Sequence, residues 1–533
     1  MGLSGARRKF VMTFRTLHLG LPRPQYLPSV ELILSDLIWQ ALQMDANIWP
    51  DSTTGVGSGS TDHRNVGLVY ESLTTNQPKN VKIVASRPQV AQVAEAWSRQ
   101  LPDSGFKVFS QLDAEILGES VLDALRAPKA EDAKSRLAVP LTPAIALLQN
   151  NRGISRAASP VNWAFVIEMM YRLGAITSHS GSSVTRRLWT AMDELSRQDS
   201  LLRATDQFIQ RSLLPIQVLD RLKELNSAPD ERLQVDPRLV GVVPVLPSFT
   251  QTPFFWFHNN WNSLTSSAWV GALSSRRWLA WATTVLRAGI GFGYLWEARW
   301  YEVLSREVID LNANPGREPK SIEQLLRDTV KSPLTVWLPT GSSVSDRDVS
   351  SRLLKLVQRG QGLEAGFRRF FDDTEKSDPD LLNQSATTGL RILSEDKQLI
   401  SVIESVWSGA KAGESGGAWE AIKYVLLSRK SSSGQVRDDY NQQRDFYGFL
   451  SQHRKSKYLF VEPSTEWIAV IASLVRNDPA TIVTLKPVRE AMNCLGLQPS
   501  VDVLTACLEA AGLARSAPDA DTGVKVASAF GAQ

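Results

Sequence analysis

Between Leu279 and Trp296 the chain carries its longest nearly unbroken apolar stretch, with Arg287 in the middle of it. A membrane span needs roughly 18 or more apolar residues with few charges, and a guanidinium at its centre is costly in hydrocarbon. The stretch is therefore read as a helix buried inside a protein, with no membrane partner. A helix that is apolar all round has to be covered by other elements. The fold class expected is mainly α, multidomain, with a smaller α/β N-terminal part.

The rest of the chain supplies helices to do the covering. At 533 residues there is length for about three or four units. Apolar residues make up 43% of the chain, enough for packed cores and too many for a largely disordered chain. Thr13–Gln43 reads as a short strand followed by an amphipathic helix. Val81–Ser86 is β-branched as strands are, Gln89–Leu101 has helical spacing, and Phe106–Ser110 reads as a second strand. Residues 1–126 are thus expected to form a small α/β domain. Helices are predicted at Val161–Leu173, Val184–Arg211, Ile216–Leu225, Ser321–Lys331, Val349–Phe371, Leu390–Trp407 and Ala418–Leu427, with capping residues at their starts. They define a helical domain over 139–428, followed by a basic connector over 429–465.

The last unit, 466–533, has three predicted helices at Glu466–Arg476, Pro487–Leu495 and Val501–Ala511. Gly496 and Gly512 stop the second and third, and a short strand comes after them in Val524–Phe530. This order resembles the winged-helix family. The resemblance implies DNA binding through the third helix, but Val501–Ala511 carries Asp502 and Glu509 and no Lys or Arg. An acidic helix is poorly suited to a phosphate-lined groove, so a protein contact or a purely folding role stands beside DNA reading.

Two segments are candidate surfaces. Phe254–Trp300 holds seven of the sixteen tryptophans, interleaved with or followed by Arg276, Arg277, Arg287, Arg299 and Arg306. Aromatic faces can stack on unpaired bases while arginines hold phosphates. The same spacing, such as Trp278–Trp281 and Trp296–Trp300, also places rings on one face of a helix in a core. Trp278, Arg276 and Arg277 are the candidate stacking or partner surface. The second segment, Arg429–Lys457, has Arg429, Lys430, Arg437, Arg444, Arg454, Lys455 and Lys457 against three aspartates. Its local net of +4 equals that of the whole chain. With Tyr440, Phe446, Tyr447 and Phe449 interleaved, it suits a phosphate backbone; the alternative is a solvated helix face.

Enzyme motifs each miss a requirement. Gly55–Ser60 lacks the lysine of a phosphate loop. The glycines at 289, 291 and 293 come after a helix rather than a strand, unlike a dinucleotide fingerprint. Asp132/Lys134, Glu318/Lys320 and Glu395/Lys397 have nuclease-like spacing without a gathered carboxylate set. The five histidines have no metal-ligand spacing. No catalytic residue, metal or cofactor is expected. Two cysteines, Cys494 and Cys507, are too few for a disulfide framework. They read as buried small residues, and the compartment as reducing and cytoplasmic. No signal peptide is read, because Arg15 and His18 interrupt the apolar residues beyond the basic run at Arg7–Lys9.

In domain order and the terminal Glu466–Phe530 pattern, the chain resembles large accessory proteins of prokaryotic anti-phage defence systems. That implies a non-catalytic complex subunit beside separate catalytic partners. The reading reached is a subunit that binds DNA or RNA through Arg429–Lys457. The alternatives are a scaffold whose winged helix docks a protein partner, or an enzyme of unfamiliar type.

Overall fold

A computed structural model of the chain describes residues 13–24, 27, 30–42, 70–71, 82–83, 139–147, 163–175, 183–212, 218–220, 222, 250–331, 346–409, 417–427, 448–451, 459–515 and 524–530. The molecule is mostly helical. Its helices are α1 (Val30–Ala41), α2 (Pro143–Ala146), α3 (Trp163–Leu173), α4 (Val184–Gln198), α5 (Ser200–Ser212), α6 (Pro253–Leu264), α7 (Ser267–Ala272), α8 (Ser275–Ala313), α9 (Ile322–Lys331), α10 (Asp346–Ser377), α11 (Ala386–Glu395), α12 (Lys397–Trp407) and α13 (Ala418–Leu426), then α14 (Thr465–Ser473), α15 (Leu485–Cys494) and α16 (Val501–Ala510) near the C-terminus.

The apolar stretch lies inside α8, which runs 39 residues, about 58 Å at 1.5 Å per residue. From Trp278 to Leu311 nearly all its side chains are buried. Around it pack α1, α3, α6, α9, α10, α11, α12, α13 and α14. Two of the glycines at 289–293 are contact points in this packing. A Cβ on Gly289 would lie 2.9 Å from the Phe257 ring, and one on Gly291 would lie 2.5 Å from Leu426 Cδ2. Their function is close helix approach. Among the described residues, no helix is long and apolar enough to cross a membrane.

Two helices expected to be continuous are broken, each at an aspartate. Asp199 separates α4 from α5, and its Oδ1 accepts the amides of Leu201 (2.9 Å) and Leu202 (3.1 Å). Asp396 separates α11 from α12, with Oδ1 accepting from Leu399 N at 2.6 Å. A short carboxylate that captures amides of the next turn competes with helix continuation and caps a new start. At α9 the cap is reciprocal: Ser321 Oγ accepts from Gln324 N, and Gln324 Oε1 accepts from Ser321 N.

Near the N-terminus, β1 (Tyr70–Glu71) pairs antiparallel with β2 (Lys82–Ile83), so Val81–Ser86 does contribute a strand. The helix expected at Gln89–Leu101 and the strand at Phe106–Ser110 lie outside the described residues. The strand expected before α1 is instead a 3-10 turn, Phe14–Leu17, followed by chain that is neither helix nor strand. The described residues between 13 and 42, among them Phe14, Leu17, Ile33 and Leu37, pack into the helical body.

The C-terminal unit runs α14, β5 (Val483–Thr484), α15, α16, β6 (Ala514–Arg515), β7 (Lys525–Val526). Its antiparallel sheet has the order β5-β7-β6. Gly496 and Gly512 have φ of 75° and 71°, the left-handed cap that ends a helix. Behind them, Leu497 N bonds to Met492 O and Leu513 N to Leu508 O. Between α13 and this unit, β3 (Leu450–Ser451) pairs antiparallel with β4 (Phe460–Val461).

Candidate functional site

The tryptophan region is core. Trp256, Trp261, Trp269, Trp278, Trp281, Trp296 and Trp300 are all buried. Several indole N–H groups hold distant carbonyls: Trp278 holds Leu264 at 2.8 Å, Trp261 holds Val184 at 3.2 Å and Trp269 holds Arg476 at 3.1 Å. The stacking expectation for Trp278 is corrected accordingly, because a ring that is 1% exposed offers no face to a base. Arg276 and Arg277 are exposed, and the Arg277 guanidinium lies 5.3 Å over the Phe530 ring.

What this region receives is the chain's own C-terminal unit. Trp281 packs edge-on against Phe530 at 5.4 Å, Cys494 Sγ donates to Thr250 O, and Ser263 Oγ donates to Asn477 Oδ1. Arg476 joins the two sides through its carbonyl, which accepts from Trp269, and its side chain ties the unit together. Its buried guanidinium donates to the carbonyls of Ala472, Thr481 and Val526, and burial lowers its pKa to about 10. Burial also pushes the Cys494 thiol up to about 12 and raises Cys507, so both stay protonated at neutral pH. On the outer side of the unit, α16 exposes Val501, Asp502, Ala506, Glu509 and Ala510.

Arg429, Lys430, Arg437, Arg444, Arg454, Lys455 and Lys457 lie outside the described residues. Their flanks are described, and they converge. Leu427 bridges Leu450 in parallel, and Phe449 N donates to Leu426 O at 2.9 Å. Ser451 pairs with Phe460, and Leu459 N donates to Ser350 Oγ at 2.7 Å. Arg287, from the middle of α8, donates to the carbonyls of Val425 (2.9 Å) and Leu427 (2.7 Å). The Phe449 ring is wedged against Phe292 and Trp467, both at 5.1 Å.

A buried ionisable cluster lies where α8 and α10 meet residues 13–24. Glu364 accepts from Arg368 Nε at 2.5 Å, and Arg368 Nη2 donates to Leu21 O at 2.7 Å. Burial, then the Glu364 charge, raises the Glu297 carboxyl well above its usual range. Its Oε1 has no hydrogen-bond partner among the described residues. Tyr301 OH bonds His18 Nδ1 at 2.8 Å; burial and the charge of Arg368 lower His18 to about 3, so its imidazole is neutral. Outside this cluster opens a cleft of about 390 Å³ lined by Arg23, Glu364, Arg368, Arg369, Asp372, Asp373 and Lys376. Arg368 and His18 are spent on Glu364, the Leu21 carbonyl and Tyr301, an arrangement that fixes structure.

The acid–lysine pairs are likewise committed or dispersed. Glu318 pairs with Arg391 at 3.2 Å and Lys320 with Asp328 at 3.0 Å, while Glu395 and Lys397 flank the break at Asp396. Asp132/Lys134 and Gly55–Ser60 lie outside the described residues. No group of three or more His, Cys, Asp or Glu is placed to hold a metal among the described residues. Sequence reasoning missed the buried cluster and the docked segment 13–24. The alternation Leu17, Leu19, Leu21, all buried, is the period-2 signal that marks such an extended piece.

No protein-family model matches the chain, and neither a curated protein nor a solved structure matches it.

Proposed function

We propose that this chain is a non-catalytic binding subunit that holds nucleic acid, DNA or RNA, through the basic segment Arg429–Lys457. The supporting observation is the convergence of the segment's flanks. Leu427 bridges Leu450 and accepts from Arg287 of α8, and Ser451 pairs with Phe460, so the described residues on either side of the basic segment lie together on the helical body. Clustered cations neutralise phosphates and release counterions, so binding of this kind weakens steeply with salt. The test is retention of labelled single-stranded and duplex oligonucleotides at about 50 mM salt, for the native chain and for a variant with Arg444, Arg454, Lys455 and Lys457 changed to Glu. The native chain retains them and the variant does not. Absence of retention by the native chain overturns the proposal.

A second reading concerns the C-terminal unit. Its order of helix, strand, two helices and two strands, with the last strand central in the sheet, supports a winged helix. The exposed side of α16 pairs two carboxylates with Val501 and alanines, which favours a protein partner over a DNA groove. The paired strands β1 and β2 support an α/β element in the N-terminal part. A subunit of a prokaryotic anti-phage complex, the role implied by the resemblance in domain order, would use both a nucleic-acid surface and a partner-docking module.

A further inference from the structure

Residues 13–24 cross the middle of α8, the C-terminal part of α10 and the start of α11 as a 3-10 turn followed by irregular chain with a left-handed Gly20, and the way they are held is that of a bound peptide. Three backbone carbonyls are read by side chains of two helices. Leu17 O accepts from Trp300 Nε1 at 3.0 Å, Leu21 O from Arg368 Nη2 at 2.7 Å and Pro22 O from Tyr294 OH at 2.7 Å. One main-chain contact starts the series, Phe14 N donating to Gln384 O at 2.8 Å, beside a bridge between Thr13 and Ser385.

Two side chains seat the segment. Phe14 is fully buried, against Phe371 at 5.1 Å and Phe370 at 6.0 Å. Its niche exists because position 389 is glycine: a Cβ there would fall 2.2 Å from the Phe14 ring. His18 stacks on Phe371 at 5.2 Å and bonds Tyr301. At the rim, Arg15 pairs with Glu375 at 2.6 Å.

Grooves that recognise extended peptides work this way: main-chain hydrogen bonds give affinity, and pockets for spaced side chains give selectivity. A core strand would instead be paired along its backbone by neighbouring strands. We propose that the groove formed by α8, α10 and α11 is a peptide-binding site whose occupant is residues 13–24 of the same chain, held in cis and exchangeable for that segment supplied in trans. The recognised chemistry is an aromatic residue followed by alternating leucines, with carbonyls free to accept at the positions of Leu17, Leu21 and Pro22.

The test uses the full chain with a site-specific protease sequence inserted after Pro24. After cleavage, a fluorescent peptide of residues 11–24 is added and followed by anisotropy, with circular dichroism as a check on folding. The cut protein is expected to stay helical, exchange its own segment and bind the peptide saturably, while the uncut protein, its groove already filled, does not bind. A Phe14→Ala peptide should bind about 100-fold more weakly, as loss of a buried phenyl ring implies. Loss of helicity on cleavage, failure of the peptide to bind, or equal binding by the uncut protein would each overturn the proposal.

Discussion

Arg287 Nε lies 2.9 Å from the carbonyl oxygen of Val425, and its Nη2 reaches Leu427 O at 2.7 Å. The charge that interrupts the apolar stretch of α8 thus serves the end of α13, whose last carbonyls have no partners within the helix. It also fixes the residue from which the basic segment departs.

Replacing Arg287 with Met keeps an unbranched apolar stem and loses the donors. With two carbonyls stranded, stability should fall by about 2 kcal/mol. Lys, a single point donor, should restore only part of it. Denaturant unfolding of both variants measures this, and a neutral Met substitution would show that the contact is dispensable.

His18 makes residues 13–24 acid-sensitive. Its pKa is about 3 in place against roughly 6.5 when free, so the unfolded state binds more protons between those values. The stability it contributes is present above pH 6.5 and lost as pH falls toward 3, by up to about 1.4 kcal/mol per pH unit. Substituting His18→Asn should flatten that part of the stability–pH curve relative to the native chain.

Glu297 acts with the opposite sign. Its raised carboxyl holds a proton that the unfolded chain releases, so its contribution is complete below about pH 4.5 and declines as pH rises. Glu297→Gln mimics the protonated form. The variant should match the native chain at about pH 4 and exceed it in Tm at about pH 8, while Glu297→Lys should be strongly destabilising because it buries an ammonium near Arg368.

The C-terminal unit is integral to the body. Truncation at Pro463 would expose Trp269 and Trp281, which are buried in the intact chain. The truncated chain should aggregate or bind a hydrophobic dye, whereas Val501→Asp on the outer side of α16 should leave stability within about 0.5 kcal/mol of native.

Much of the helical plan was legible in the sequence because apolar spacing records it. The three C-terminal helices and the glycines that end two of them were read within a few residues. The breaks at Asp199 and Asp396 were not, because amphipathic spacing runs on through both positions and only the side-chain cap divides them. The tryptophans were ambiguous for a physical reason: the spacing that puts two rings on one helix face is the same in a core and on a surface, and only burial separates the two. Trp278 and Trp269 went to the core, each with its N–H on a carbonyl. The cluster of Glu297, Glu364, Arg368 and His18 joins residues hundreds of positions apart, and no local pattern announces it.

Nucleic-acid binding through the basic segment is measured by the salt dependence of oligonucleotide affinity, with the native chain compared to the Arg444, Arg454, Lys455 and Lys457 charge-reversal variant. Measurable binding is expected at about 50 mM salt, with a steep, linear loss of log affinity with log salt whose slope reaches up to about 5 for single strands if all seven cations contact phosphates. The variant should show no measurable binding. A native chain that fails to bind at about 50 mM salt, or a variant that binds equally well, would contradict binding through this segment.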